Sequence, residues 1–132
     1  MAKILIVDDS KELLQLLSVS LRSKKYEVRT ATSKLHILSC IYLFKPDLIL
    51  LDVRLGKEDG RKICTELKSD LTFKDIPIIL FSASPDMLQE FSKYEADDVI
   101  EKPFDIVTVV DKIKYHLNKS IFKLNYSVVR NF

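Results

Sequence analysis

Three stretches of the chain are unbroken apolar runs, and each stops on a polar side chain. Residues 4–7 end at Asp8, residues 48–51 at Asp52, and residues 76–81 at Ser82. A short run with no polar face reads as a strand buried on both sides, the pattern of parallel strands sandwiched between helices. Antiparallel strands with one wet face would more often alternate apolar and polar residues.

Helical patterns fill the intervals. Leu13, Leu14, Leu16, Leu17 and Leu21 make a wide apolar stripe after Ser10, which can cap a helix. Residues 26–31 read as a short strand, Lys34–Phe44 as a helix stopped by Pro46, and Gly60–Lys68 as a helix carrying Ile63, Cys64 and Leu67. Pro85 suits the first turn of a helix predicted to reach about Tyr94. A brief strand at residues 99–101 precedes a helix over residues 105–117, with Val109, Val110, Ile113 and Leu117 at helical spacing. Strand then helix, five times over, predicts an α/β fold: a doubly wound five-stranded parallel sheet with helices on both faces.

A length of 132 residues accommodates one such domain. We place it at residues 1–119, with residues 120–132 as a tail and no output domain. The tail is apolar, with Ile121, Phe122, Leu124, Tyr126, Val128, Val129 and Phe132. Rough alternation at Phe122, Leu124, Tyr126 and Val128 predicts an added strand or a homodimer contact.

With 21 basic and 19 acidic residues interleaved, no basic stripe tracks a phosphate backbone, so direct nucleic-acid binding is not indicated. The first apolar run is far too short for a signal core or a membrane span, which points to a cytoplasmic protein with no membrane partner. Cys40 and Cys64 lie in helical patterns without metal-ligand spacing and read as buried reduced thiols. His36 and His116 are expected to be surface or part-buried histidines, and Asp97-Asp98 a turn before the last strand.

In a sheet of this kind the site lies at the carboxyl ends of the strands. That rule gathers Asp8, Asp9, Asp52, Ser82 and Lys102 on one rim. Three crowded carboxylates repel unless a cation or protons intervene, and an all-oxygen set suits a hard ion such as Mg²⁺. A carboxylate can attack phosphorus to form an acyl phosphate when the metal and a lysine neutralise charge on the transferring group. Lys102 supplies that second charge, Ser82 offers a hydroxyl to a phosphoryl oxygen, and the small Ala83 leaves an approach to Asp52.

Asp8-Asp9, the run from Leu51 to Gly60, Ser82-Ala83 and Lys102-Pro103-Phe104 together resemble the receiver domains of two-component response regulators, over roughly residues 3–117. The resemblance implies a flavodoxin-like receiver fold and a phosphorylated Asp52. It implies Mg²⁺ or Mn²⁺ held by Asp8, Asp9, Asp52 and the backbone carbonyl of Arg54, with Asp9 the closer of the acidic pair. It further implies that Lys102 bridges to the phosphoryl group, that the bond before Pro103 is cis, and that Ser82 and position 99 form the switch. The donor would be a histidine kinase or a histidine phosphotransfer protein, and the output face the fourth helix, last strand and fifth helix. Such a domain is no turnover enzyme, although it catalyses its own phosphorylation and slower dephosphorylation.

The chain departs from the family pattern at Gly56, where proline is usual, at Glu95, where glycine is usual, and at Val99, where an aromatic is usual. Gly56 is expected to loosen the loop after Asp52, and Glu95 to manage a turn that favours positive φ.

Three rivals compete with this reading. A flavodoxin-like nucleotide binder needs small residues after the first strand, where this chain has Asp8-Asp9-Ser10-Lys11-Glu12. A haloacid-dehalogenase-like hydrolase would carry its nucleophile on the first strand with an aspartate two positions on, whereas Asp52 is followed by Val53 and Arg54. The third is a receiver-fold binding module that is never phosphorylated; the complete set of Asp8, Asp9, Asp52, Ser82 and Lys102 argues against it.

Overall fold

The computed structural model describes the backbone of residues 1–130 and the side chains of residues 1–120. Its elements are β1 (Lys3–Val7), α1 (Lys11–Ser23), β2 (Glu27–Ala31), α2 (Lys34–Phe44), β3 (Leu48–Asp52), β4 (Arg54–Leu55), β5 (Glu58–Asp59), α3 (Gly60–Lys68), β6 (Ile78–Ser82), α4 (Pro85–Leu88), a 3-10 turn (Phe91–Tyr94), β7 (Asp98–Glu101) and α5 (Ile106–Arg130). The main sheet has five parallel strands in the order β2-β1-β3-β6-β7.

Every residue of β3 and β6 is buried, as are Ile4 to Val7 of β1. Side chains alternate between two cores. Leu5, Val7, Ile49, Leu51, Ile78 and Leu80 meet α2 and α3, while Ile4, Ile6, Leu48, Leu50, Ile79 and Phe81 meet α1 and α5. The apolar runs are continuous because each strand feeds both layers. Ser10 caps α1 by accepting from the Leu13 N–H at 3.3 Å, and Leu14, Leu17 and Leu21 turn inward. Leu16, assigned to the stripe on sequence, is 63% exposed.

The fourth helix is not the continuous element predicted to Tyr94. It stops after Leu88, Gln89 is extended, Glu90 adopts a left-handed φ of 52°, and a 3-10 turn follows. A continuous helix would place Asp86 and Glu90 one turn apart with like charge, and Phe91, Ser92 and Tyr94 are weak helix formers.

The last helix runs to Arg130 instead of ending near Leu117. The rough alternation beyond residue 120 does not make a strand: Ile113, Leu117, Ile121, Leu124 and Val128 also recur every three or four residues, and the helical period wins. Docking of the tail side chains lies outside the described residues, as does Phe132 altogether.

Two further details concern residues singled out on sequence. Gly56 sits in a regular hairpin turn. Its φ of 61° closes a two-residue turn, Gly56-Lys57, between the short antiparallel strands β4 and β5. His116 is only 5% exposed, and Asp98 at the start of β7 accepts from its ring at 2.8 Å and from Lys112 Nζ at 3.0 Å. Asp97 accepts from the Ile78 N–H and from Lys68, so both aspartates are structural. Cys40 and Cys64 are free thiols; Cys64 is buried, which pushes its thiol up to about 12, whereas Cys40, expected to be buried, is only half-buried at the edge of the α2–α3 core.

Candidate functional site

The chain leaves β1 for β2 on one side and later returns to β3 on the other, so the strand order reverses between β1 and β3. Helix-forming segments diverge at such a reversal and open a crevice at the carboxyl ends. Asp8 and Asp9 follow β1, and Asp52 closes β3. One carboxylate oxygen from each of the three lies within 4.8 Å of the others.

Asp8 is 1% exposed, with Oδ1 accepting from the Ser10 N–H at 2.8 Å and Oδ2 from Lys102 Nζ at 2.8 Å. Asp9 points outward and accepts from the Gly56 N–H at 3.1 Å, which is how the β4–β5 turn is fastened to the rim. Asp52 is 5% exposed; its Oδ1 accepts from the Arg54 N–H at 3.3 Å, and its Oδ2 lies 3.6 Å from Lys102 Nζ. Burial first, and then the neighbouring charge of Asp8, pushes the Asp52 carboxyl up to about 6, against the opposing pull of Lys102 and the Arg54 N–H.

Lys102 reaches the rim from the end of β7, with Nζ 4.8 Å above the centre of the Phe81 ring, and the Lys102–Pro103 bond is cis. Its backbone N–H donates to the Ser82 carbonyl, tying the last strand to its neighbour. Ser82 is buried, and its Oγ accepts from the Ser84 N–H at 3.0 Å. The structure therefore brings Asp8, Asp9 and Asp52 together at the ends of the adjacent strands β1 and β3, with Lys102 reaching Asp8 and Asp52 from the end of β7 across β6. Arg54 exposes its side chain, and only its backbone touches the site. Val99 is half-buried against the α2–α3 core and pairs with Leu80 in the sheet.

Sequence reasoning gave no role to Gly60. Its N–H donates to the Val53 carbonyl at 2.6 Å, and a methyl group on its Cα would lie 2.0 Å from the Asp52 carbonyl oxygen. The first turn of α3 thus presses on the backbone that carries Asp52. One signal was available: the chain has only two glycines, and both fall within eight residues after Asp52. Glu95, standing where glycine is usual in the family, does adopt a left-handed φ of 64°.

A parallel sheet whose reversal point holds three carboxylates and a lysine defines an acidic crevice of the kind found in receiver domains. The chain belongs to the response regulator receiver domain family, whose model matches residues 4–114. It is 30% identical over 122 residues to the DNA-binding dual master transcriptional regulator RpaA of Synechocystis, covering 91% of this chain and 51% of that protein. The chain thus spans about half the length of that curated relative. Among solved structures it resembles a putative response regulator from Chloroflexus aurantiacus, at 30% identity and a TM-score of 0.82, over 89% of this chain and 98% of the other. It also resembles NtrX from Brucella abortus, at 28% identity and a TM-score of 0.88, over 98% of this chain and 30% of that one. The five-stranded flavodoxin-like receiver fold is shared with these relatives, and no helix among the described residues is long and apolar enough to cross a membrane.

Proposed function

We propose that this receiver domain is a phosphoacceptor switch in which Asp52 takes a phosphoryl group from a phosphohistidine on a histidine kinase or phosphotransfer protein. The observation that carries the reading is the raised, buried Asp52 carboxylate facing Lys102 across an acidic pair. The donor set fits a hard divalent cation: only oxygens are offered, they are close enough to share one ion, and their mutual repulsion needs relief. Asp8, Asp9, Asp52 and the Arg54 carbonyl are the residues that would hold Mg²⁺ or Mn²⁺. When bound, the ion supplies positive charge that offsets the incoming phosphoryl oxygens.

The chain's own groups do the rest. Asp52 Oδ attacks phosphorus, the donor's P–N bond breaks, and the displaced imidazole leaves with the electron pair. Lys102, already 3.6 Å from Asp52, gives its ammonium to the developing negative charge. Ser82 releases the Ser84 N–H as its hydroxyl turns to donate to a phosphoryl oxygen, which moves the segment after β6. Hydrolysis of the acyl phosphate by the same site returns the domain to rest, so it turns over no outside substrate. The switch unit is residues 1–119, and α5 continues past it to Arg130. Downstream protein contacts form on α4, the 3-10 turn, β7 and α5, and no direct nucleic-acid contact is assigned to this unit. Incubation with a radiolabelled, phosphorylated kinase domain tests the reading: label should move to the wild-type chain and not to Asp52→Asn. Label on both would refute the assignment.

A further inference from the structure

Asp8, Asp9 and Asp52 share one rim but are not held alike. Asp8 is buried and accepts from two donors, the Ser10 N–H and Lys102 Nζ, each at 2.8 Å. Asp52 is buried and accepts from the Arg54 N–H. Asp9 is exposed, and among the described residues its carboxylate has one hydrogen-bond partner, the Gly56 N–H at 3.1 Å, 47 residues away in the chain. We infer that Gly56 is a positioning residue for the cation site: its backbone N–H, presented at the tip of the β4–β5 hairpin, sets the direction of the Asp9 carboxylate and makes cation affinity depend on that hairpin. The inference rests on the reading of Asp8, Asp9 and Asp52 as cation ligands.

The physical argument is one of freedom. A solvated aspartate side chain explores several rotamers, and an ion that needs it in one of them binds more weakly for having to order it. A donor that already holds the carboxylate removes that loss, which is what the outer partners of ligating side chains do in metal sites generally. A bond from N–H to a charged oxygen is also among the stronger hydrogen bonds. Burial orders Asp8 and Asp52 without such help. Asp9 depends on Gly56.

The hairpin keeps that donor still. Leu55, next to the tip, is 2% exposed and packs into the α2–α3 core. At the other foot Asp59 caps α3 by accepting from the Arg61 N–H at 2.9 Å. Between these anchors Gly56 and Lys57 close the turn, with Gly56 at a φ of 61°. A methyl group on Gly56 Cα would meet no atom within 4 Å, so the glycine is not there to make room for a neighbour. What the position supplies is a left-handed φ and an N–H, and a proline could provide neither. The same hairpin carries the Arg54 carbonyl, so one turn presents a backbone ligand directly and orients a side-chain ligand from the loop after β1.

Replacing Gly56 by glycolic acid through semisynthesis converts the bond between residues 55 and 56 to an ester and removes this N–H without adding a side chain. With Mn²⁺ as the probe and the free ion read by electron paramagnetic resonance, the ester chain should bind about tenfold more weakly than wild type, or worse. Gly56→Ala strains the turn but keeps the N–H, and should bind nearly as wild type does. In the unmodified chain, amide exchange followed by NMR should be slower at Gly56 than at Lys57 in the same turn, and Asp9→Ala should erase the difference. Mn²⁺ affinity unchanged in the ester chain would overturn the inference, as would Gly56→Ala weakening binding as much as the ester does. Equally fast exchange at Gly56 and Lys57 would overturn it without any variant that must fold. A wild type that binds no Mn²⁺ would sink the cation reading and this inference together, whereas wild-type binding indifferent to the ester sinks the inference alone.

Discussion

Gly60 rests against the main chain of Asp52 so closely that a methyl group on its Cα would stand 2.0 Å from the Asp52 carbonyl oxygen and 3.0 Å from Val53 Cα. The obstacle is backbone, which cannot rotate aside. Gly60→Ala should therefore shift β3 relative to α3 and displace the Asp52 carboxylate, costing about 1–3 kcal/mol of stability. The same substitution at Gly56 meets no atom within 4 Å and is strained only by its φ of 61°. Thermal melts and divalent-ion titrations of the two variants should separate them, with Gly60→Ala losing more of both properties. Equal behaviour would contradict the role given to Gly60.

The raised Asp52 carboxyl predicts an unusual pH dependence in metal-free protein. Below about pH 4 Asp52 is protonated folded or unfolded and contributes no difference. Between that point and about 6, where the folded-state group titrates, the unfolded chain ionises first and stability falls as pH rises. Above about 6 the penalty is constant. Asp52→Asn should consequently raise the melting temperature at pH 7, and the gain should shrink as pH is lowered toward 4. Excess Mg²⁺ should narrow the gap by stabilising the wild type more. A variant less stable than wild type at pH 7 in chelator would count against the crowding argument.

Glu95 holds a left-handed φ of 64° at the end of the 3-10 turn, a conformation costly for a side chain with a Cβ. Glu95→Gly should stabilise the domain by about 0.5–1 kcal/mol, visible as a higher denaturant midpoint with an unchanged slope. A lower midpoint would mean that the Glu95 side chain makes a contribution the backbone argument omits.

Val99 supplies no ring to swing inward when Ser82 moves, and a β-branched side chain repacks little. Ser82→Ala should leave Asp52 modifiable while uncoupling modification from partner binding. Val99→Ala should change that coupling little. Amide chemical shifts on adding beryllofluoride should concentrate at Ser82 to Ser84, the broken fourth helix and β7. Shifts that bypass this face, or loss of coupling in a folded Val99→Ala variant, would refute the relay.

The sheet was legible because Leu48 to Leu51 and Ile78 to Phe81 are apolar without interruption, and only two-sided burial demands that. The rim followed from the strand ends, since Asp8, Asp52 and Lys102 need only the topology to meet. Local geometry was harder to read. The break after Leu88 depends on a left-handed Glu90, and no residue type announces it. His116 read only as a surface or part-buried histidine because Asp98, its partner, stands 18 residues earlier, on a strand. The role of Gly60 is a backbone contact between β3 and α3 that exists only in three dimensions.

The central claim is that Asp52 accepts a phosphoryl group with the help of a divalent ion. Peptide mapping by mass spectrometry after incubation with acetyl phosphate and Mg²⁺ tests it most directly. The phosphoryl group should map to Asp52, disappear in excess chelator, and be absent from Asp52→Asn. Labelling undiminished in chelator or in that variant, or no labelling of the wild type from either acetyl phosphate or a phosphohistidine donor, would contradict the account and favour a receiver fold that acts by binding alone.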